Sequence, residues 1–326
     1  MIIRLRRQDV RQRALLFLLL ALFLVLLLWT LSGEDIQSAP FDPEDPLIPF
    51  DHPEALRFLI EPEKCSKSIE TAVFILTRIS EGLLRKEIRH SWAHPSNYDT
   101  SRMRIVFVVG NSTDKLVSEA LRWENSEFGD MVQADVEEGY FHLSQKTLSG
   151  LEWTRRMCPS VKCTIKADSD NVVHLRNMEK LCQMHEKASI IGECNVTREV
   201  IRIPSKWIIP KYVYAPDQYP QYCSSGIYAY TGGISTVNRI LKASSMSTYY
   251  TSLNTRMLPE DVLFTGIFAD LANLSRINSP GFSFRANPNV FCERGLALIH
   301  SVHMNEYKKP ERVWKILMEL NGAICI

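Results

Sequence analysis

Cys163-Thr164-Ile165-Lys166-Ala167-Asp168-Ser169-Asp170 is a short apolar run that ends on two carboxylates one residue apart. The first five residues read as a strand. Paired aspartates at the carboxyl end of a strand offer hard oxygen ligands. These suit Mg²⁺ or Mn²⁺ shared with substrate phosphates rather than caged by protein alone, and they point to an enzyme that uses a nucleotide-linked donor. A D-x-D in isolation is an ordinary acidic turn, so the surrounding pattern decides its meaning.

Upstream, residues 71–77 (TAVFILT) and 103–109 (MRIVFVV) are continuous apolar runs, as expected of strands buried on both faces. Residues 130–135 read as a third strand, and the quoted run is the fourth. Residues 83–92, 113–124 and 143–157 carry helical spacing between them, and 175–185 follows as another helix. Strand and helix in alternation predict an α/β fold with a mostly parallel central sheet and helices on both faces. Ligands of such sheets bind outside the carboxyl ends of the strands, where the acidic pair falls. Residues 201–222 are rich in aromatics and prolines and are expected to form a long loop along one wall of a cleft. The chain has no G-x-G-x-x-G, no G-x-x-x-x-G-K-[ST] and no G-x-S-x-G. The dinucleotide fingerprint, the P-loop and the common hydrolase nucleophile turn are therefore not indicated.

The N-terminal segment sets topology. Residues 14–31 (ALLFLLLALFLVLLLWTL) contain no charge and span about 27 Å as a helix, enough to cross a bilayer core. Arg4, Arg6, Arg7, Arg11 and Arg13 precede them, and Glu34 and Asp35 follow. The positive-inside rule puts the N-terminus in the cytosol and the rest in a lumen. A cleaved signal peptide is the bland alternative, but Ser38-Ala39 is a poor cleavage site. The division expected is a cytoplasmic tail 1–13, a transmembrane signal anchor 14–31, a Pro- and acid-rich stem 32–64 and a catalytic domain 65–326. All eight cysteines follow the anchor, which suggests disulfides in an oxidising compartment. Asn111, Asn195 and Asn273 begin N-glycosylation sequons. A formal net charge of +1 leaves no electrostatic footprint for nucleic acid.

Six segments in order resemble the β1,3-galactosyltransferase family. Arg85-Lys86-Glu87-Ile88-Arg89-His90-Ser91-Trp92 is similar to its R-x-x-I-R-x-T-W, and 140–147 (YFHLSQKT) to its Y-x-N-L-T-L-K-T. The Asp168 segment is similar to K-x-D-D-D, with Ser169 in place of the middle Asp. Residues 206–226 resemble its K-W-x-x-P … Y-P-P-Y-C-S-G run, Glu260-Asp261-Val262 with Gly266 its E-D-V-x-x-G, and Ile299-His300-Ser301 its terminal V-H-S. His142 stands where the family has Asn, and Gln221 where it has Pro.

The resemblance implies a Rossmann-like, GT-A-type fold. It also implies a Golgi type II single-pass membrane enzyme that moves a sugar, with inversion, from a UDP-sugar to a hydroxyl of a glycan on a glycoprotein or glycolipid. UDP-galactose is the first donor considered, and UDP-GlcNAc or UDP-GalNAc would use the same scaffold. A non-catalytic lumenal chaperone or glycan-binding relative is the reading of another class, and retention of both acidic pairs argues against it. Asp168 and Asp170, with His300 by resemblance, are the expected ligands of Mn²⁺ or Mg²⁺, and Asp168 is also a donor contact. Arg85, Arg89 and Lys146 are candidate nucleotide or phosphate contacts, with surface salt bridges as their ordinary alternative. Inversion in one displacement requires a base opposite the leaving group. Asp261 takes that place in the family pattern, Glu260 is its rival, and either can also cap the following helix. Trp207, Tyr219 and Tyr222 are candidate acceptor-stacking residues, with loop packing as their alternative. Cys223 is expected in a disulfide rather than as a nucleophile, and Cys292 is expected to pair with Cys325.

Overall fold

The computed structural model describes residues 57–321 except 196, 206, 225, 248–257, 284–290, 294–295 and 305–308, together with Leu20. The tail, the 14–31 run as a whole, most of the stem and Cys325 lie outside these. Among the described residues no helix is long and apolar enough to cross a membrane.

The chain begins with β1 (Phe58–Ile60), β2 (Thr71–Leu76), α1 (Gly82–His90), β3 (Met103–Asn111), α2 (Lys115–Phe128), β4 (Met131–Glu137) and α3 (Leu143–Met157). There follow β5 (Cys163–Asp168), β6 (Asn171–Val173), α4 (Leu175–Met184), β7 (Ser189–Gly192), β8 (Ile227–Thr231) and α5 (Ile234–Met246). Val262–Ile267 is wound as a π helix and runs into α6 (Phe268–Leu271). The described chain closes with β9 (Ser275–Asn278), β10 (Phe282–Ser283), β11 (Phe291–Glu293), β12 (Leu296–Leu298), β13 (Ser301–His303) and α7 (Pro310–Leu320).

Eight strands form the central sheet in the order β1-β4-β3-β2-β5-β8-β7-β9. The block β4-β3-β2-β5 is parallel throughout. The sheet is nonetheless mixed: β8 runs antiparallel to both β5 and β7, and β1 antiparallel to β4. β8 follows a long loop rather than a crossover helix, and this permits the reversal. β1 also carries the folded domain further back than the expected stem boundary. A second sheet, β10-β13-β6, sits beside the first.

Alternation along β2 explains its unbroken apolar run. Ala72, Phe74 and Leu76 face one core with Leu148, Leu151 and Trp153 of α3 and Val237, Ile240 and Leu241 of α5. Val73 and Ile75 face the other with Ile88 of α1, Leu121 of α2, Met178 and Leu181 of α4 and Leu317 of α7. Helix ends follow local chemistry. Asp114 caps α2 by accepting from Leu116 N at 2.9 Å, and Gly129 ends it at φ 61, the left-handed conformation that glycine adopts without a Cβ clash. Disulfides join Cys65 to Cys158, Cys163 to Cys182 and Cys194 to Cys223. Cys223 is thus a bridging cysteine. Cys325, and with it the expected Cys292–Cys325 pairing, lies outside the described residues.

Gly150 lets α3 lie directly on β2: a Cβ there would stand 2.4 Å from the Phe74 ring, which is itself fully buried. Alanine favours a helix over glycine by about 1 kcal/mol, whereas overpacking a core costs about 1–3 kcal/mol. Gly150→Ala should therefore lower the melting temperature; a melt equal to or above that of the wild type would show that Phe74 yields at no cost.

Candidate active site

The acidic pair occupies a switch point of the sheet. Strands β2, β3 and β4 are laid down outward, and the chain then returns to place β5 on the other side of β2. Connections diverge at such a point and leave a crevice beyond the strand ends. Asp168 ends β5 and Asp170 precedes β6, so the triplet is the link between the two sheets. Its backbone is pinned from both sides, Asp168 N to Gly226 O at 2.7 Å and Ser169 N to Leu76 O at 3.1 Å. A cleft of about 390 Å³ opens here, with Thr77, Glu138, Tyr140, Lys146, Asp168 and Asp170 in its walls. Gly226 is required by proximity, because a Cβ would meet Asn171 Nδ2 at 2.2 Å and Asp168 Oδ2 at 2.9 Å.

Beneath the cleft lies a buried ionic network. Lys166, 1% exposed, places Nζ 2.9 Å from Asp168 Oδ1 and 3.0 Å from Glu260 Oε2. Glu260 Oε1 accepts from Thr147 Oγ1 at 2.8 Å and from Tyr228 OH at 2.5 Å. Burial and the charges of Asp170 and Glu260 raise the Asp168 carboxyl, Lys166 opposes them, and the result is about 6. Burial would by itself neutralise Lys166, but its two carboxylate partners hold it charged.

Asp261 heads the π helix and accepts from Val262 N through Oδ1 at 2.9 Å. Burial first, and the neighbouring Glu260 charge second, push its carboxyl up to about 7. Thr265 Oγ1 donates to Asp261 O at 2.6 Å and accepts from Cys223 N at 2.9 Å, so this helix start is tied to the Tyr222–Ser224 segment. Of the two expected bases, Glu260 is engaged on both oxygens inside the protein and Asp261 retains the raised basicity that a proton acceptor needs.

The other expected site residues divide sharply. Lys146 lines the cleft but is already bonded to Glu138 Oε1 at 2.7 Å and Thr77 O at 3.0 Å. Arg85 and Arg89 make salt bridges, the ordinary alternative for both. Arg85, 1% exposed, grips Glu124 at 2.8 and 2.7 Å and bonds Arg78 O at 2.6 Å and Ile79 O at 3.1 Å. Arg89 binds Glu124 and Asp130, and its guanidinium lies over the rings of Phe107 and Phe128. Both guanidiniums are saturated within the domain, so their task is to hold the loop after β2 and the α1–α2 contact.

His300 is not the histidine that stands beside Asp170. The β13–β6 register pairs Ser301 with Val173 and His303 with Asn171. His303 therefore reaches the acidic pair, with Nε2 3.1 Å from Asp170 Oδ2. His300 is buried against the Phe282 ring, and burial, with the nearby His174, lowers its pKa to about 4. Burial would raise the Asp170 carboxyl, but the bond to His303 and the charge of Lys166 bring it below the usual range.

Tyr219 and Tyr222 are buried and packed edge to face, with Tyr214 stacked beyond. They form the frame of the long loop rather than an open platform. Trp207 is 52% exposed and reaches Tyr140 on the cleft wall through a side-chain hydrogen bond. Asn195 and Asn273 are exposed, and Asn273 adopts φ 49. The Asn111 amide donates to Asp135 Oδ1 at 3.1 Å. Glu138 was not singled out in the sequence, yet its carboxylate collects Ile79 N and Gly110 N, each at 3.0 Å, besides Lys146. No spacing rule would have found it.

A divalent cation is compatible with this donor set. Among the described residues no three His, Cys, Asp or Glu side chains converge into a closed metal cage. Two carboxylates on one turn offer instead an oxygen site that substrate phosphates would complete. Lys166 holds only Oδ1 of Asp168, while Asp170 accepts from Asn171 Nδ2 at 2.9 Å through Oδ1 and meets His303 through Oδ2.

The sequence model of the galactosyltransferase family matches residues 84–280. The chain is 26% identical over 281 residues to beta-1,3-galactosyltransferase 1 of Mus musculus and of Homo sapiens, covering 84% of this chain and 82% of theirs. It is 27% identical over 176 residues to beta-1,3-galactosyltransferase 5 of Pan paniscus, covering 53% of this chain and 58% of that one. Among solved structures it is similar to the galactosyltransferase LgtC in complex with donor and acceptor sugar analogs, at 14% identity and a TM-score of 0.40, over 78% of this chain and 96% of that one.

Removing one member of a buried ion network leaves its partners uncompensated and costs about 3–5 kcal/mol. Lys166→Met should lose that much stability in urea unfolding, because Asp168 and Glu260 would then face each other without a cation. A loss below about 1 kcal/mol would show that the network does not hold the site together.

Proposed function

This chain belongs to the galactosyltransferase family, and on that premise we propose that it is an inverting β1,3-galactosyltransferase with a GT-A-type fold. It takes UDP-galactose as donor and a glycan hydroxyl as acceptor. The observation that carries this reading is the placement of Asp168 and Asp170 on one side of a cleft at the sheet's switch point, with Asp261 linked to them through Lys166 and Glu260. The names of the relatives support galactose and the β1,3 linkage. The arginine-flanked run 14–31 and the three disulfides support a type II Golgi membrane enzyme with a lumenal catalytic domain.

In this mechanism the donor diphosphate lies by the Asp168–Asp170 turn and the galactose reaches toward the π helix. Asp168 and Asp170 would hold Mn²⁺ or Mg²⁺, which when bound would supply neutralisation of charge on the diphosphate. His303 orients Asp170, and Lys166 fixes Asp168. The acceptor hydroxyl attacks the anomeric carbon from the face opposite UDP. The new C–O bond forms as the anomeric carbon–phosphate oxygen bond breaks, its electron pair leaves with UDP, and the hydroxyl proton passes to Asp261. A carboxyl near 7 is suited to this task because it is both ionised and basic at working pH.

Asp170→Ala should abolish Mn²⁺-dependent UDP binding in calorimetry, and unchanged binding would remove Asp170 from the metal site. Asp261→Asn should leave UDP binding nearly intact and reduce transfer by about 10²–10⁴-fold; near-normal turnover excludes it as the base. The base must be ionised and its pKa is raised to about 7, so kcat/KM should fall as pH drops below about 7, where an ordinary carboxylate would hold activity down to about 4. Transfer assays with UDP-galactose, UDP-GlcNAc and UDP-GalNAc decide the donor.

A further inference from the structure

A carboxylate that no step above uses stands beyond the end of β7, at the edge of the sheet where the acidic turn lies. β7 runs parallel to β5, because both are antiparallel to the intervening β8. Glu193, which directly follows β7, therefore emerges at the same edge of the sheet as Asp168. Its backbone oxygen accepts from Ser224 N at 3.0 Å, and the next residue is bridged to Cys223. The same Tyr222–Ser224 segment is fixed to the head of the π helix by Thr265. A Cβ on Gly266 would come within 3.3 Å of Tyr222 Cβ. Glu193 and Asp261 thus flank one rigid three-residue segment, and the charges of both act on the Tyr222 phenol between them.

The carboxylate is half-buried, and its Oε2 is inaccessible to solvent with no hydrogen-bond donor among the described residues. Exposed Arg198 is the cation whose charge reaches it. Oε1 is not enclosed in this way and is the oxygen an incoming donor can reach. A half-buried carboxylate without protein donors is costly unless a ligand supplies one. Sugar hydroxyls are donors of the right kind, and an ionised acceptor strengthens each bond.

We propose that Glu193 is an acceptor-recognising residue whose carboxylate takes hydrogen bonds from hydroxyls of the acceptor sugar beside the one that is glycosylated. The inference rests on the transferase reading. It makes Glu193 a determinant of acceptor choice and leaves donor binding to the acidic turn. Its partners are polyhydroxylated sugars, since a carboxylate here disfavours acceptors that carry an acid at the same place.

The test uses Glu193→Gln, which keeps the shape of the side chain and removes its charge. Four acceptor probes are used, the 4-nitrophenyl β-glycosides of galactose, N-acetylglucosamine, N-acetylgalactosamine and xylose. The expected result is an acceptor KM raised about 10–100-fold, with kcat within about twofold of wild type. UDP binding, acceptor-independent UDP-galactose hydrolysis and melting temperature should be unchanged. Deoxy versions of the active glycoside extend the test. One hydroxyl whose loss costs the wild type about tenfold should cost Glu193→Gln almost nothing, because a true contact is not lost twice. An unchanged acceptor KM in Glu193→Gln, with hydrolysis intact, overturns the proposal. So does failure of all four glycosides as acceptors while hydrolysis persists. Absence of both UDP binding and hydrolysis in the wild type is a different failure, that of the transferase reading itself.

Discussion

One ammonium group buried between two carboxylates sets the geometry on which the rest of this molecule depends. Taking Lys166, Asp168 and Glu260 out of water costs several kcal/mol per ion. That cost is offset only because Nζ stands within 3.0 Å of both acids and because Thr147 and Tyr228 satisfy the remaining Glu260 oxygen. The consequence is spatial. The end of β5, the approach to the π helix, the first turns of α3 and the middle of β8 cannot move independently. The two halves of the cleft are thereby held at a fixed separation, which is the form of preorganisation that positioning catalysis requires.

Around that centre the two walls are built by different means. The side at the acidic turn is strand ends: β2 and β5 in parallel register, with Leu76 and Gly226 taking up the amides of that turn. Arg85 and Glu138 stiffen it from behind. The segment before β8 is a long loop, and loops need external restraint to be precise. Here the restraint comes from the Cys194–Cys223 bridge, from Arg202, which bonds the carbonyls of Ile209, Tyr214 and Pro216, and from Arg276, which bonds the carbonyls of Thr265 and Gly266 at the π helix.

The acidic crowding of the cleft explains its electrostatics. Asp168 and Asp261 both have pKa values raised by burial and by neighbouring carboxylates. Asp170 escapes that pattern because His303 stands against it. Three carboxylates within one cleft therefore have three different proton affinities, and different roles become available to chemically identical side chains.

Much of the scaffold was legible because it follows from periodicity. Residues 143–157 read as a helix and form one over the same span, and the four apolar runs became β2, β3, β4 and β5. The sequence by itself determined these elements, the acidic turn at a strand end and the family, since each depends on neighbours along the chain. It did not determine that β8 runs antiparallel, since direction is decided by where a long loop re-enters the sheet. Nor did it assign the charged groups. Arg85 carries the look of a phosphate ligand, yet Glu124, some forty residues away, claims it. His300 and His303 differ by three places, and only the pairing of β13 with β6 decides which of them meets Asp170. Glu138 and Lys166 take their meaning from donors and acceptors distant in sequence. A charge's role is fixed by what surrounds it in three dimensions, and that is the information only the tertiary structure holds.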